Sequence, residues 1–149
     1  MGRHLALAVA TLCVAATASL AQEQEPTPDE AAIRSVVAGF KAALAAGDST
    51  AAVGHLHPDL VVYEGGGAES LAEYRSGHLA ADMEFAVAVE TTVLEQGLIL
   101  RPDMALWVSE SESRGEFRGS TIDAHGTETI VLIPTDAGWK ILHVHWSSR

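Results

Sequence analysis

The sequence predicts an α+β domain: a curved antiparallel sheet wrapped around N-terminal helices, cone-like, with a hollow between sheet and helices. Three observations predict it. Apolar residues recur at helical spacing from Ile33 to Leu44. From Glu84 to Ser147 the chain reads as four long β segments with short connections, the pattern of an antiparallel meander. Helices come first and strands after, which sets the helices on one side of the sheet.

Residues 1–21 read as a secretory signal peptide. Arg3 gives a basic start, Leu5 to Ala18 is apolar apart from Thr11 and Thr17, and Ser19 and Ala21 place small residues before a cleavage site at Gln22. The apolar run is shorter than the about 20 residues of a membrane span. No membrane association is therefore expected after cleavage, and the destination is secreted or periplasmic. Cys13 is the only cysteine and leaves with this segment, so the remaining chain is held by its core without disulfides. Residues 22–27 form a polar lead-in, and residues 28–149 form one domain. The chain has 20 acidic against 9 basic residues, a net charge of −11, which the loss of Arg3 takes to about −12. Such a surface repels phosphate backbones and anionic lipid heads, which excludes nucleic acid as a partner.

Thr27-Pro28-Asp29-Glu30 is a helix start: Thr27 caps, Pro28 suits the first helical position and Glu30 completes a capping box. Ile33, Val36, Val37, Phe40 and Leu44 make the buried face. Gly47 ends the helix, and Asp48 caps a short second one reaching about His55. His57-Pro58-Asp59 is read as a break, Leu60–Tyr63 as a short strand, and Gly65-Gly66-Gly67 as a turn that leaves Glu64 at the strand end. Residues from Glu69 to about Met83 read as a third helix. The four β segments are Glu84–Glu95, Met104–Phe117, Thr127–Pro134 and Trp139–Ser147, with turns at Pro102-Asp103 and Asp136-Ala137-Gly138.

The segment Phe40 to Asp48, the tripeptide His57-Pro58-Asp59 and the ending Gly138 to Ser147 resemble, in order and spacing, the nuclear transport factor 2 superfamily. This superfamily includes SnoaL-like proteins and ketosteroid isomerase, and the resemblance covers about residues 29–147. It implies the curved sheet with its hollow, a fold that hosts isomerases, dehydratases, hydrolases and binding proteins. It puts Glu64 near the carboxylate base of the isomerase. It puts Phe40 where the isomerase has an oxyanion-binding tyrosine and apolar Ile130 near its protonated acid, so that constellation is not expected. The ending also resembles the association domain of calcium/calmodulin-dependent kinase. Ser109, Ile130 and Trp146 stand where that domain has pocket arginines, which implies a more apolar, aromatic pocket. A homodimer through the outer sheet face is implied as well.

Glu64, His78 and Asp82 are the candidate catalytic residues. A carboxylate at a strand end beside a glycine turn can act as a base when desolvated. His78 and Asp82 lie four apart and share a helix face, where the carboxylate can orient the imidazole as a base or as a metal ligand. Tyr63, Trp107, Ser109, Glu128, Ile130 and Trp146 are expected to line the hollow, with Glu128 a buried acid if it shares the inward face of Ile130 and Leu132. His143 and His145 alternate on the last strand and are expected on the outer face. They could chelate a metal with Glu110 or Glu112, but convergence of ligands is not visible, so no metal centre is expected. His55 and His57 are read as a helix end. No phosphate-cradling glycine motif or nucleophile elbow is present, and no cofactor is expected. Three functions remain: binding of a small apolar or aromatic molecule, acid–base catalysis by Glu64 with His78–Asp82, and protein interaction through the outer sheet face.

Overall fold

The computed structural model describes residues 25–149; the predicted leader and the first part of the lead-in lie outside the described residues. Helix α1 (Pro28–Ala46) begins as its sequence dictates. Thr27 Oγ1 accepts from the Glu30 N–H, and the Glu30 carboxylate accepts from the Thr27 N–H at 2.8 Å. Gly47 closes it in the left-handed region at φ 68°. Asp48 caps α2 (Ser49–Gly54) through a 2.9 Å bond from the Ala51 N–H. Ile33, Val37, Phe40 and Leu44 of α1 are buried. Each contributes about 1.5–3 kcal/mol relative to an exposed side chain.

Six strands follow: β1 (Leu56–Glu64), β2 (Gly67–Ser70), β3 (Val89–Leu100), β4 (Ala105–Phe117), β5 (Ser120–Thr135) and β6 (Gly138–Ser148). Between β2 and β3 lie α3 (Leu71–Ser76) and α4 (His78–Ala88). The spatial order is β2-β1-β6-β5-β4-β3, one curved and unclosed sheet. All neighbours are antiparallel except β1 and β6, which run parallel. The helices cover the concave face, and among the described residues no helix is long and apolar enough to cross a membrane.

Several boundaries differ from the sequence expectation, each for a local reason. His57-Pro58-Asp59 does not break the chain. Strand β1 passes through it as a bulge, with Leu56 opposite Ile141 and Val61 opposite His143. Pro58 has no N–H to pair, and the Asp59 N–H donates to His57 Nδ1 at 3.1 Å. The glycine turn is only Gly65-Gly66, at φ 57° and 82°, and Gly67 already belongs to β2. Glu69 is therefore a strand residue, and the helix starts after Ser70, whose side chain makes a capping box with Glu73. Gly77 then divides α3 from α4. Residues 84–88 continue α4 instead of opening a strand, because Leu79, Met83 and Ala86 face the core at helical spacing. Strand β5 starts at Ser120, earlier than expected, since Arg118-Gly119 makes a tight hairpin at φ 50° and 82°.

Register stacks the inner face in rows. Trp107, Ile130 and Val144 stand opposite one another across β4, β5 and β6. The next row is Ser109, Glu128 and Trp146, and the next Ser111, Gly126 and Ser148. The first row is buried under α1. The second, touched by Phe40 and Lys41 of α1, and the third border open space.

Candidate functional site

That open space is a cavity of about 1110 Å³ between the sheet and α1 and α4. One wall is aromatic: Trp146 is partly exposed and is backed by the buried Phe40, their rings near-parallel, 6° apart in plane, with centroids 6.5 Å apart. Trp146 is held in place by Glu128. The indole N–H donates to Glu128 Oε2 at 2.9 Å, while Oε1 accepts from Lys41 Nζ at 2.8 Å and Ser109 Oγ at 3.0 Å. Glu128 is thus an almost buried carboxylate with three donors, fixed by cross-strand neighbours on both sides and by α1.

The polar end is built by β1, β2, α3 and α4. Leu60, Val62 and Glu64 alternate inward along β1, so Glu64 takes the last inward position before the Gly65-Gly66 turn. The hairpin sets Glu69 opposite inward-facing Val62. The break at Gly77 starts α4 at His78, and one turn later Asp82 shares its face. His78 Nε2 lies 3.1 Å from Glu64 Oε2 and 3.6 Å from Asp82 Oδ1, and Nδ1 lies 3.3 Å from Glu69 Oε2. Tyr74, fully buried, donates its hydroxyl to Asp82 Oδ2 at 2.7 Å.

Burial and crowding shape the proton affinities. Burial first, then the neighbouring Asp82 and Glu69 carboxylates, push Glu64 above the usual carboxylate range against the opposing pull of His78. Burial likewise raises Asp82, while the Tyr74 hydroxyl and His78 pull it back. Tyr74 is raised by burial and by the adjacent Asp82 charge, so it remains a proton donor at neutral pH.

The structure brings together Glu64, His78 and Asp82, which the sequence singled out separately. It also joins Ser109, Glu128 and Trp146 on the cavity wall. Trp107 and Ile130 do not line the cavity: they sit one row deeper, and the Arg34 guanidinium lies 5.6 Å from the Trp107 ring centroid. Tyr63 borders the mouth, but its ring packs edge-on against His143 and His145, at 5.2 and 6.4 Å between centroids. His143 and His145 thus gather with Tyr63, and His143 Nδ1 lies 3.0 Å from the Val61 carbonyl. Glu110 and Glu112 pair instead with His125 and Arg114. Tyr74, Glu69 and Lys41 escaped the sequence reading. Tyr74 precedes His78 by four and Asp82 by eight, a helical spacing that was the available signal.

A family model described as a SnoaL-like domain matches residues 33–149. No curated protein matches the chain. Among solved structures, a candidate ketosteroid isomerase from Shewanella frigidimarina NCIMB 400 is 38% identical, with a TM-score of 0.75 over 80% of this chain and 98% of that one. A CaMKII hub from S. rosetta is 20% identical, with a TM-score of 0.70 over 85% of this chain and 100% of that one. A candidate dehydratase of the NTF2-like family from Streptomyces avermitilis is 16% identical, with a TM-score of 0.69 over 81% and 96%. The latter two are similar in fold.

Proposed function

We propose that this chain, which belongs to the SnoaL-like domain family, binds a small molecule with a flat apolar body in its hollow. The carrying observation is that one cavity holds both the Phe40–Trp146 aromatic wall and the convergent polar end. Flat apolar surface stacks on the first, and a polar group of the same molecule meets the second. Export by the leader and self-association belong to this reading; the outer sheet face exposes Val61, Tyr63, Ile99 and Val108.

The clustering of Glu64, His78 and Asp82 favours a second step, catalysis. Three proton-handling side chains within reach of one another on a cavity wall suit proton transfer to or from the bound molecule, as in isomerisation, elimination of water or hydrolysis. The 38% identical relative, described as a candidate ketosteroid isomerase, supports that class. The steroid reaction itself is not carried over, because Phe40 offers no donor for an oxyanion.

A thermal-shift screen of flat apolar and aromatic compounds, run with a chelator present, tests the binding. A ligand at 100 times its dissociation constant stabilises the native state by about 2.7 kcal/mol. The expected result is a concentration-dependent rise in Tm that Trp146→Ala abolishes. A rise equal in Trp146→Ala, or no rise with any flat compound, would sink the pocket reading. With a hit in hand, Glu64→Gln should retain binding and lose turnover.

A further inference from the structure

We propose that Glu64, His78 and Asp82 form the binding site of one divalent first-row metal ion at the polar end of the hollow. The inference rests on the reading of this cavity as the functional site and names what occupies its polar end. Glu64, His78 and Asp82 each offer a ligand atom within 4.8 Å of those of the other two. Bonds of about 2.0–2.2 Å to a shared ion hold neighbouring ligand atoms roughly 3–3.5 Å apart. The separations from His78 Nε2, 3.1 and 3.6 Å, match that spacing.

The way these atoms meet supports the same conclusion. At 3.1 Å the imidazole and Glu64 are close enough for a hydrogen bond, yet Glu64 Oε2 is buried without a hydrogen-bond partner. The pair is close but not aimed at each other. Glu69 Oε2, 3.3 Å from His78 Nδ1, is buried without a partner in the same way, so carboxylate oxygens on both sides of the ring lack a donor that a cation would replace.

The surroundings orient the ligands. The Tyr74 hydroxyl takes Asp82 Oδ2 and leaves Oδ1 toward the site. Glu69 Oε2 stands 3.3 Å from His78 Nδ1, on the other side of the ring from Nε2. Charge gives the driving force. Glu64, Glu69 and Asp82 surround a single imidazole, so carboxylates outnumber basic groups at this half-buried end, and a dication would offset the charge they carry when ionised.

One nitrogen and two carboxylate oxygens suit Mn²⁺ or Zn²⁺ better than Ca²⁺ or Mg²⁺, which take oxygen, or Cu⁺, which takes sulfur. Three protein ligands on an open cavity wall leave positions for water and for a ligand in the hollow, the pattern of catalytic sites. A water on that ion becomes the proton-handling group for the bound molecule. His143 and His145 do not compete, since no carboxylate joins them in a ligand group among the described residues.

The test is isothermal titration of chelator-stripped, dialysed protein with MnCl₂ and, separately, ZnCl₂. One saturable equivalent per chain is expected. His78→Ala should weaken it at least about 100-fold, and Tyr74→Phe about 10-fold or more, as loss of an outer contact does. Far-UV circular dichroism checks the fold of each variant; if His78→Ala does not fold, Glu64→Gln carries the same expectation of a large loss. Several weak equivalents unaffected by the variants would show only the acidic surface and overturn the proposal. So would binding that survives His78→Ala and disappears in His145→Ala, or no saturable binding. The small-molecule screen runs in chelator, so failure of the metal leaves the pocket reading standing and failure of the pocket leaves the metal to be judged alone.

Discussion

Removing one hydroxyl, in Tyr74→Phe, isolates the bond that disciplines the polar end. Tyr74 is fully buried and its ring packs in the core, so phenylalanine keeps the packing and deletes only the donor to Asp82 Oδ2. Asp82 is itself only 16% exposed, so water replaces that donor poorly. A hydrogen bond to an ionised partner is worth about 1.5–3 kcal/mol, and a neutral pair about 1 kcal/mol. At neutral pH and with metal chelated, the variant should lose about 2 kcal/mol. For a domain of this size that is a fall in Tm of about 6–10 °C.

The pH dependence has a definite sign. Burial raises Asp82 above its ordinary value of 3.8 in the folded state, while the Tyr74 bond and His78 oppose the rise. Ionisation of Asp82 therefore opposes folding: its contribution is most favourable below 3.8 and is lost as pH rises through the folded pKa. Without the hydroxyl the folded pKa rises further, so the variant loses more over the same ascent. Glu64, Glu69 and His78 face Asp82 in both proteins and cancel in the difference to first order. Thermal denaturation of both proteins at about pH 3.5 and about pH 7.5 should show a small deficit in acid and the full deficit near neutrality. An equal deficit at the two pH values would refute the reasoning and assign the loss to packing.

Two further outcomes concern the surrounding structure. Glu128→Gln leaves one acceptor for three donors and turns an N–H toward another N–H or O–H donor. It should cost about 1.5–3 kcal/mol in urea unfolding and shift the emission of Trp146; unchanged emission with unchanged stability would remove Glu128 as the anchor of the aromatic wall. A Cβ at Gly39 would lie 2.6 Å from His55 Cε1, so in Gly39→Ala the ring must swing away. The overpacking cost of about 1 kcal/mol is offset by a gain of about 0.8–1 kcal/mol in helix propensity, leaving stability nearly unchanged. The decisive readout is the His55 titration by NMR. Burial, then Lys140, hold it below 6.5, and release to solvent should raise it. A His55 pKa that does not move in Gly39→Ala would show that the ring stayed and the helix gave way.

The parts of the fold legible in the sequence are those decided by neighbours in the chain. Thr27 to Glu30, Gly47 and Asp48 fix the first two helices through caps that span three or four residues, and they fold as read. The parallel pairing of β1 with β6 joins residues some eighty apart and leaves no local mark. Pro58 reads as a break because it cannot donate, yet a bulge needs no donor there. The stretch from Glu84 to Ala88 is one glutamate followed by a short apolar run, which periodicity alone does not assign to strand or helix. Only the core partners of Met83 and Ala86 decide for helix, and those lie in other elements.

The site divides the same way. Glu64 at a strand end and the His78–Asp82 spacing are local facts, and both residues of the pair reach the cavity. Whether they meet Glu64 depends on the short β1–β2 hairpin and on the break at Gly77, which together bring the start of α4 back to the end of β1. Glu69 becomes a neighbour only through its register with Val62, since cross-strand partners share a face. The same register argument explains the opposite fates of Trp107 and Trp146. Both point inward, yet two residues along β4 separate the row under α1 from the row that faces the hollow. A tryptophan in the deeper row contributes core. One in the upper row, fixed by Glu128 and stacked with Phe40, offers a surface to a ligand. Residue type nominated both; only the offset between helix cover and sheet register separates them.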